Sequence, residues 1–126
     1  MNAQINKSPD KQIIKSPTQN MNKEEIRILK EKVIVVLRNI FDPEIPVNIY
    51  ELGLIYETNV SEAGAVKVLM TLTSPNCPVA ESMPEQVRKE ISYLTGVTEV
   101  NVEITFEPPW NHDLMSDEAK LELGML

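Results

Sequence analysis

The chain has 126 residues, 42% of them apolar, with a single cysteine and a formal net charge of −7. That length makes one domain that can bury a core without covalent staples, and one cysteine excludes an intrachain disulfide. No apolar run reaches the about 18 residues of a membrane span, and the excess of acid opposes the phosphate neutralisation on which nucleic-acid binding depends.

Residues 1–21 carry Lys7, Lys11 and Lys15 against Asp10, two Ser-Pro steps and only scattered apolar residues. They lack the continuous apolar stretch of a secretory signal and the arginine-rich, acid-free character of a mitochondrial presequence. They read as a disordered N-terminal tail, and the expected location is cytoplasmic. Residues 22–126 form the expected single domain. It holds 9 basic and 18 acidic residues, which suits a basic protein or a cationic metal as partner.

Ile26, Leu29, Val33, Val36, Leu37 and Ile40 recur at 3–4 spacing, predicting a helix from Lys23 with Asn22 as N-cap. Pro43 requires it to stop by Asp42. Asp42 to Glu51 reads as an extended loop, because it holds two prolines in ten residues. Leu52 to Val60 reads as a strand, residues 61–64 as a turn, and the alternation of Val66, Val68, Met70 and Leu72 as a second strand. Residues 74–78 (SPNCP) break that strand. Val79, Met83, Val87 and Ile91 then mark a buried helix face, in which Pro84 predicts a kink or a late start. Gly96 closes it. Val100, Val102, Ile104 and Phe106 alternate as a third strand, and Ser116 caps a final helix to about Leu123. The expected class is α+β, a small mixed three-stranded sheet with helices in the order α-β-β-α-β-α. The crossover through the second helix makes the second and third strands parallel.

Cys77 falls where a strand gives way to a helix. The free N–H groups and dipole of a helix N-terminus stabilise a thiolate, and Pro75 and Pro78 stiffen the loop. A buried, inert cysteine is the plainer alternative. Asp42 and Glu44 flank Pro43, with Glu51 further on. These carboxylates could template a metal, but an Asp beside proline more often bonds its own loop backbone. His112 is the only histidine, so one chain cannot build a closed Cys/His zinc site, and a solvated ring is its expected state. Trp110, the only tryptophan, anchors either a loop or a partner. There is no glycine-rich phosphate loop and no Ser/His/Asp set.

The segments 42–56 (DPEIPVNIYELGLIY), 71–87 (TLTSPNCPVAESMPEQV), 100–110 (VNVEITFEPPW) and 114–124 (LMSDEAKLELG) together resemble the SufT and PaaD-like family of iron–sulfur, or metal–sulfur, cluster biogenesis. The resemblance runs from about residue 30 to 124. It puts the family's DPE motif on Asp42, Pro43 and Glu44, its asparagine on Asn48, and its Leu-Gly pair on Leu52 and Gly53. The family cysteine falls on Cys77 and the Pro-Pro-Trp motif on Pro108, Pro109 and Trp110. Glu51 departs from the pattern, since the family usually has Asp there.

The resemblance implies a non-enzymatic accessory factor of the SUF system that matures or delivers clusters through Cys77. The cargo would be a transient iron–sulfur cluster or iron, and the partners iron–sulfur scaffold proteins and client apoproteins. Asp42, Glu44, Asn48, Glu51, Thr73 and Ser74 would support the site, and Trp110 would meet a partner. One thiolate cannot hold a cluster that wants four ligands. A homodimer pairing two Cys77 residues, or docking on a scaffold or client, could complete the shell. The alternatives are a thiol enzyme using Cys77 as nucleophile on a peroxide or persulfide, and an interaction module whose cysteine is incidental.

Overall fold

The structure, a computed structural model, describes residues 20–43, 45–73 and 82–125. Helix α1 spans Lys23–Leu37, strand β1 Ile55–Val60, strand β2 Ala65–Met70, helix α2 Ser82–Ser92, strand β3 Glu99–Ile104 and helix α3 Asp117–Glu122. The sheet order is β1-β2-β3. β1 pairs antiparallel with β2, and β2 pairs parallel with β3, as the α+β pattern predicts.

Asn22 begins α1 with a reciprocal cap: its Oδ1 accepts from the Glu25 N–H at 2.8 Å, while Glu25 Oε1 accepts from the Asn22 N–H at 3.0 Å. Two of the orphan donors at the helix start are thereby satisfied. Leu29, Val33 and Leu37 form its buried stripe. The stripe continues to Ile40 but the helix does not. The chain turns after Leu37, and Ile40 reaches the core from that turn at 2% exposure. Pro84 lies in the first turn of α2, where a missing N–H leaves no intrahelical bond unmade.

The sheet is apolar on one side. Val66 pairs with Val100, Val68 with Val102 and Met70 with Ile104 on that face, and α2 brings Met83, Val87 and Ile91 into the same core. The other face carries Lys67 and Glu103, 3.8 Å apart and half exposed. An exposed pair of this kind contributes little to stability.

The expected first strand begins too early. Leu52 and Leu54 are fully buried, which mimics strand alternation, but residues 49–53 form a turn. The Leu52 N–H donates to Asn48 O at 3.0 Å, and Gly53 adopts φ +83°. The second strand, expected to run through Leu72, ends in the ladder at Met70. A 3-10 turn at His112–Leu114, unmarked by periodicity, precedes α3. Of the expected tail, Asn20 and Met21 are described, and both hydrogen-bond to Glu62.

Candidate functional site

The rim at the start of β1 gathers four segments through backbone bonds. The Ile49 N–H donates to Ile40 O at 2.8 Å, and the Leu54 N–H to Ile49 O at 3.2 Å, which folds the DPE loop against the sheet end. The Thr71 N–H donates to Leu54 O at 2.8 Å, and the Thr105 N–H to Met70 O at 2.9 Å. The end of the central strand is therefore held from both sides. The chain leaves it through Thr71 and Leu72, both buried, and half-buried Thr73. The next residues, 74–81, include Ser74 and Cys77 and lie outside the described residues, as does Glu44.

Asp42 is 5% exposed. Its Oδ1 accepts from the Ile45 N–H at 2.9 Å, and its own N–H donates to Val47 O at 3.2 Å. It is thus a loop cap, the role that an Asp before proline favours. Asn48 caps the following turn in the same way, with Oδ1 accepting from the Glu51 N–H at 2.9 Å. Phe41 and Asn48 close the loop with an antiparallel bridge.

Glu51, whose side chain is 13% exposed, meets Arg38 Nε at 3.2 Å. The Arg38 guanidinium lies 5.0 Å from the centre of the Tyr50 ring. This contact joins the end of α1 to the loop. Its charge complementarity was visible in the sequence, but its geometry depends on where the chain turns after Leu37.

The C-terminal segment straps the same rim. Trp110 Nε1 donates to Leu52 O at 2.7 Å, and the Ser116 N–H to Glu51 O at 2.9 Å. Tyr56 sits at the irregularity in the β1–β2 register, and its hydroxyl donates to Pro108 O at 2.7 Å. Trp110, expected to anchor either a loop or a partner, is half-buried and anchors this strap through its indole N–H. His112 is exposed and stands edge-on to the Trp110 ring at 5.3 Å. Sequence reasoning missed Arg38 and Tyr56, since both act through partners far along the chain.

The described residues thus bring Asp42, Asn48, Glu51, Thr73 and Trp110 to one end of the sheet. Among them no group of three metal-ligating side chains forms a cage. The loop backbone engages Asp42 Oδ1 and Arg38 engages Glu51.

Residues 30–104 match the family described as iron–sulfur cluster assembly protein. An Fe-S protein maturation auxiliary factor of Porphyromonas gingivalis is 51% identical over 106 residues, covering 84% of this chain and 100% of its own. The Fe-S protein maturation auxiliary factor SufT of Staphylococcus aureus is 38% identical over 86 residues, covering 68% of this chain and 98% of its own. A domain of unknown function from Bacillus anthracis, solved by crystallography, superposes with a TM-score of 0.76 at 32% identity, covering 83% of this chain and 100% of that one. The fold, the four rim segments and the extent of these matches agree: the chain belongs to the iron–sulfur cluster assembly protein family.

Proposed function

We propose that this protein is an accessory factor that helps mature iron–sulfur proteins, delivering a cluster or iron to client apoproteins through the Cys77 thiolate. Among the geometric observations, the bond from the Thr71 N–H to Leu54 O supports this reading most directly. It ties the stem of the cysteine-bearing segment to the residues that follow the DPE loop.

In this reading the cluster is cargo. A single thiolate leaves coordination positions for a scaffold, a client or a second copy of the chain, which favours transfer over storage. Asp42 and Asn48 hold the DPE loop in shape, Glu44, Glu51, Thr73 and Ser74 are the proposed supporting residues, and the protein acts in the cytoplasm without turning over a substrate of its own.

Anaerobic reconstitution with iron and sulfide, followed by transfer to an apoprotein, tests this. The wild type acquires iron and restores the client, and Cys77→Ala does neither while remaining folded. A Cys77→Ala protein that delivers normally would overturn the assignment. Turnover of a peroxide or persulfide by the wild type would replace it with thiol catalysis.

A further inference from the structure

Beside the DPE loop, between the end of α1 and α3, lies a groove of about 310 Å³. Its lining includes the buried residues Val47 and Ala119 and the ring of Phe41, which is 56% exposed. Three carboxylates border it: Glu51, Glu118 and Glu122. Arg38 balances Glu51 at 3.2 Å. Glu118 and Glu122 are exposed, and neither has an ion-pair partner among the described residues. They stand one turn apart on α3, a spacing at which like charges repel. An exposed aromatic ring beside unbalanced charge is the composition of a docking patch.

We propose that this groove docks a segment of a partner protein in which an arginine or lysine stands next to an apolar side chain. The apolar group covers Phe41 and Val47, and the cation lies between Glu118 and Glu122, relieving their repulsion. Charge selects this occupant. A second copy brings an acidic body, with 18 acids against 9 bases in residues 22–126, and nucleic acid brings phosphates. The inference does not depend on what Cys77 carries, because the groove is built from α1, the DPE loop and α3 alone.

The test is a titration of the isotopically labelled full chain with capped synthetic peptides containing an Arg-Leu pair. Matched peptides carry glutamate for the arginine or serine for the leucine. The amide resonances of Phe41, Glu118 and Glu122 move with the Arg-Leu peptide and with neither control. Glu118→Gln/Glu122→Gln weakens binding roughly tenfold and flattens its salt dependence. Phe41→Ser weakens it by about the same factor. Unmoved resonances of buried Val68 and Ile91 establish that these surface variants are folded.

Equal binding of all peptides, or of none, overturns the proposal. Groove resonances that shift with protein concentration alone would assign the groove to a second copy. Resonances that shift in the free chain on Lys7→Glu/Lys11→Glu/Lys15→Glu would assign it to the chain's own amino-terminal segment. Either result also overturns the proposal.

Discussion

The indole N–H of Trp110 reaches the carbonyl of Leu52 at 2.7 Å across 58 residues of sequence, and together with the bond from the Ser116 N–H to Glu51 O it fixes the C-terminal strap to the turn that precedes β1. Leu52 is fully buried, so its carbonyl has no ready access to water, and losing the donor leaves a buried acceptor unsatisfied. Trp110→Phe keeps most of the ring and removes the donor. It should cost about 1–2 kcal/mol of unfolding free energy, measured by urea denaturation. A loss no larger than that of an exposed surface substitution would show that water replaces the indole.

Gly53 makes the same turn possible. Its φ is +83°, and a Cβ built there would stand 2.2 Å from the carbonyl oxygen of Leu114. Both the backbone conformation and the space are closed to a side chain. Gly53→Ala should therefore cost more than about 2 kcal/mol and loosen the strap. Hydrogen exchange at the Ser116 N–H, which bonds to Glu51 O, reads the strap separately from global stability. Unchanged protection there would show that Leu114 moves aside without consequence.

These two contacts also show which regions of the fold could be read from the sequence. The helix faces and the strands at Val66 and Val100 were legible because burial imposes a period on consecutive residues. Asp42 was legible as a cap because an Asp beside proline bonds locally. The start of β1 was not. Leu52 and Leu54 are buried on alternate positions, but it is Gly53 at positive φ and the Asn48 cap that shape this stretch into a turn. The Trp110–Leu52 and Arg38–Glu51 contacts leave no local pattern, since each joins segments brought together only by the tertiary fold. Cys77 was found as a chemical type and through family resemblance, while its surroundings fall outside the described residues.

Two exposed ion pairs on the helices give a pH signature. Hydrogen bonding to Arg27, and then its charge, holds Glu24 below the ordinary value of 4.5, and Arg88 lowers Glu85 in the same way. A carboxylate with a depressed folded-state pKa stabilises the fold above its unfolded value, and that contribution is lost as pH falls through the folded value. Both side chains are largely exposed, so salt screens the effect. Side-chain NMR titration should find both midpoints below 4.5 at low salt and closer to it at about 1 M salt. Arg27→Gln should release Glu24 and leave Glu85 unchanged. A Glu24 midpoint indifferent to Arg27 would remove the pair as its cause.

The proposed role of Cys77 requires a thiol that reacts in the native protein. Pro75 and Pro78 frame Cys77 in the sequence, and the proposed role predicts that its thiol ionises below the unperturbed value of about 8.5. Iodoacetamide rates measured against pH should rise with a midpoint under that value. A thiol that is silent until urea unfolds the chain would be an inert cysteine, and cluster delivery would then need another ligand.

Asp42 separates loop shape from metal chemistry. Its Oδ1 accepts from the Ile45 N–H at 2.9 Å within a loop that also holds Asn48 and Glu51. Asparagine retains that acceptor and removes the charge, whereas alanine removes both. Asp42→Ala should cost about 1 kcal/mol through loss of the cap, and Asp42→Asn only a few tenths. Cluster delivery to an apoprotein supplies the second readout. If the carboxylate is needed near the cargo, Asp42→Asn impairs delivery as severely as Asp42→Ala despite its retained stability. If Asp42 serves only to shape the loop, Asp42→Asn delivers like the wild type and the deficit of Asp42→Ala follows its stability. We expect the second outcome, because Oδ1 of this buried carboxylate is already engaged by the backbone of its own loop. Equal loss of delivery in both variants would place the carboxylate in the transfer chemistry itself.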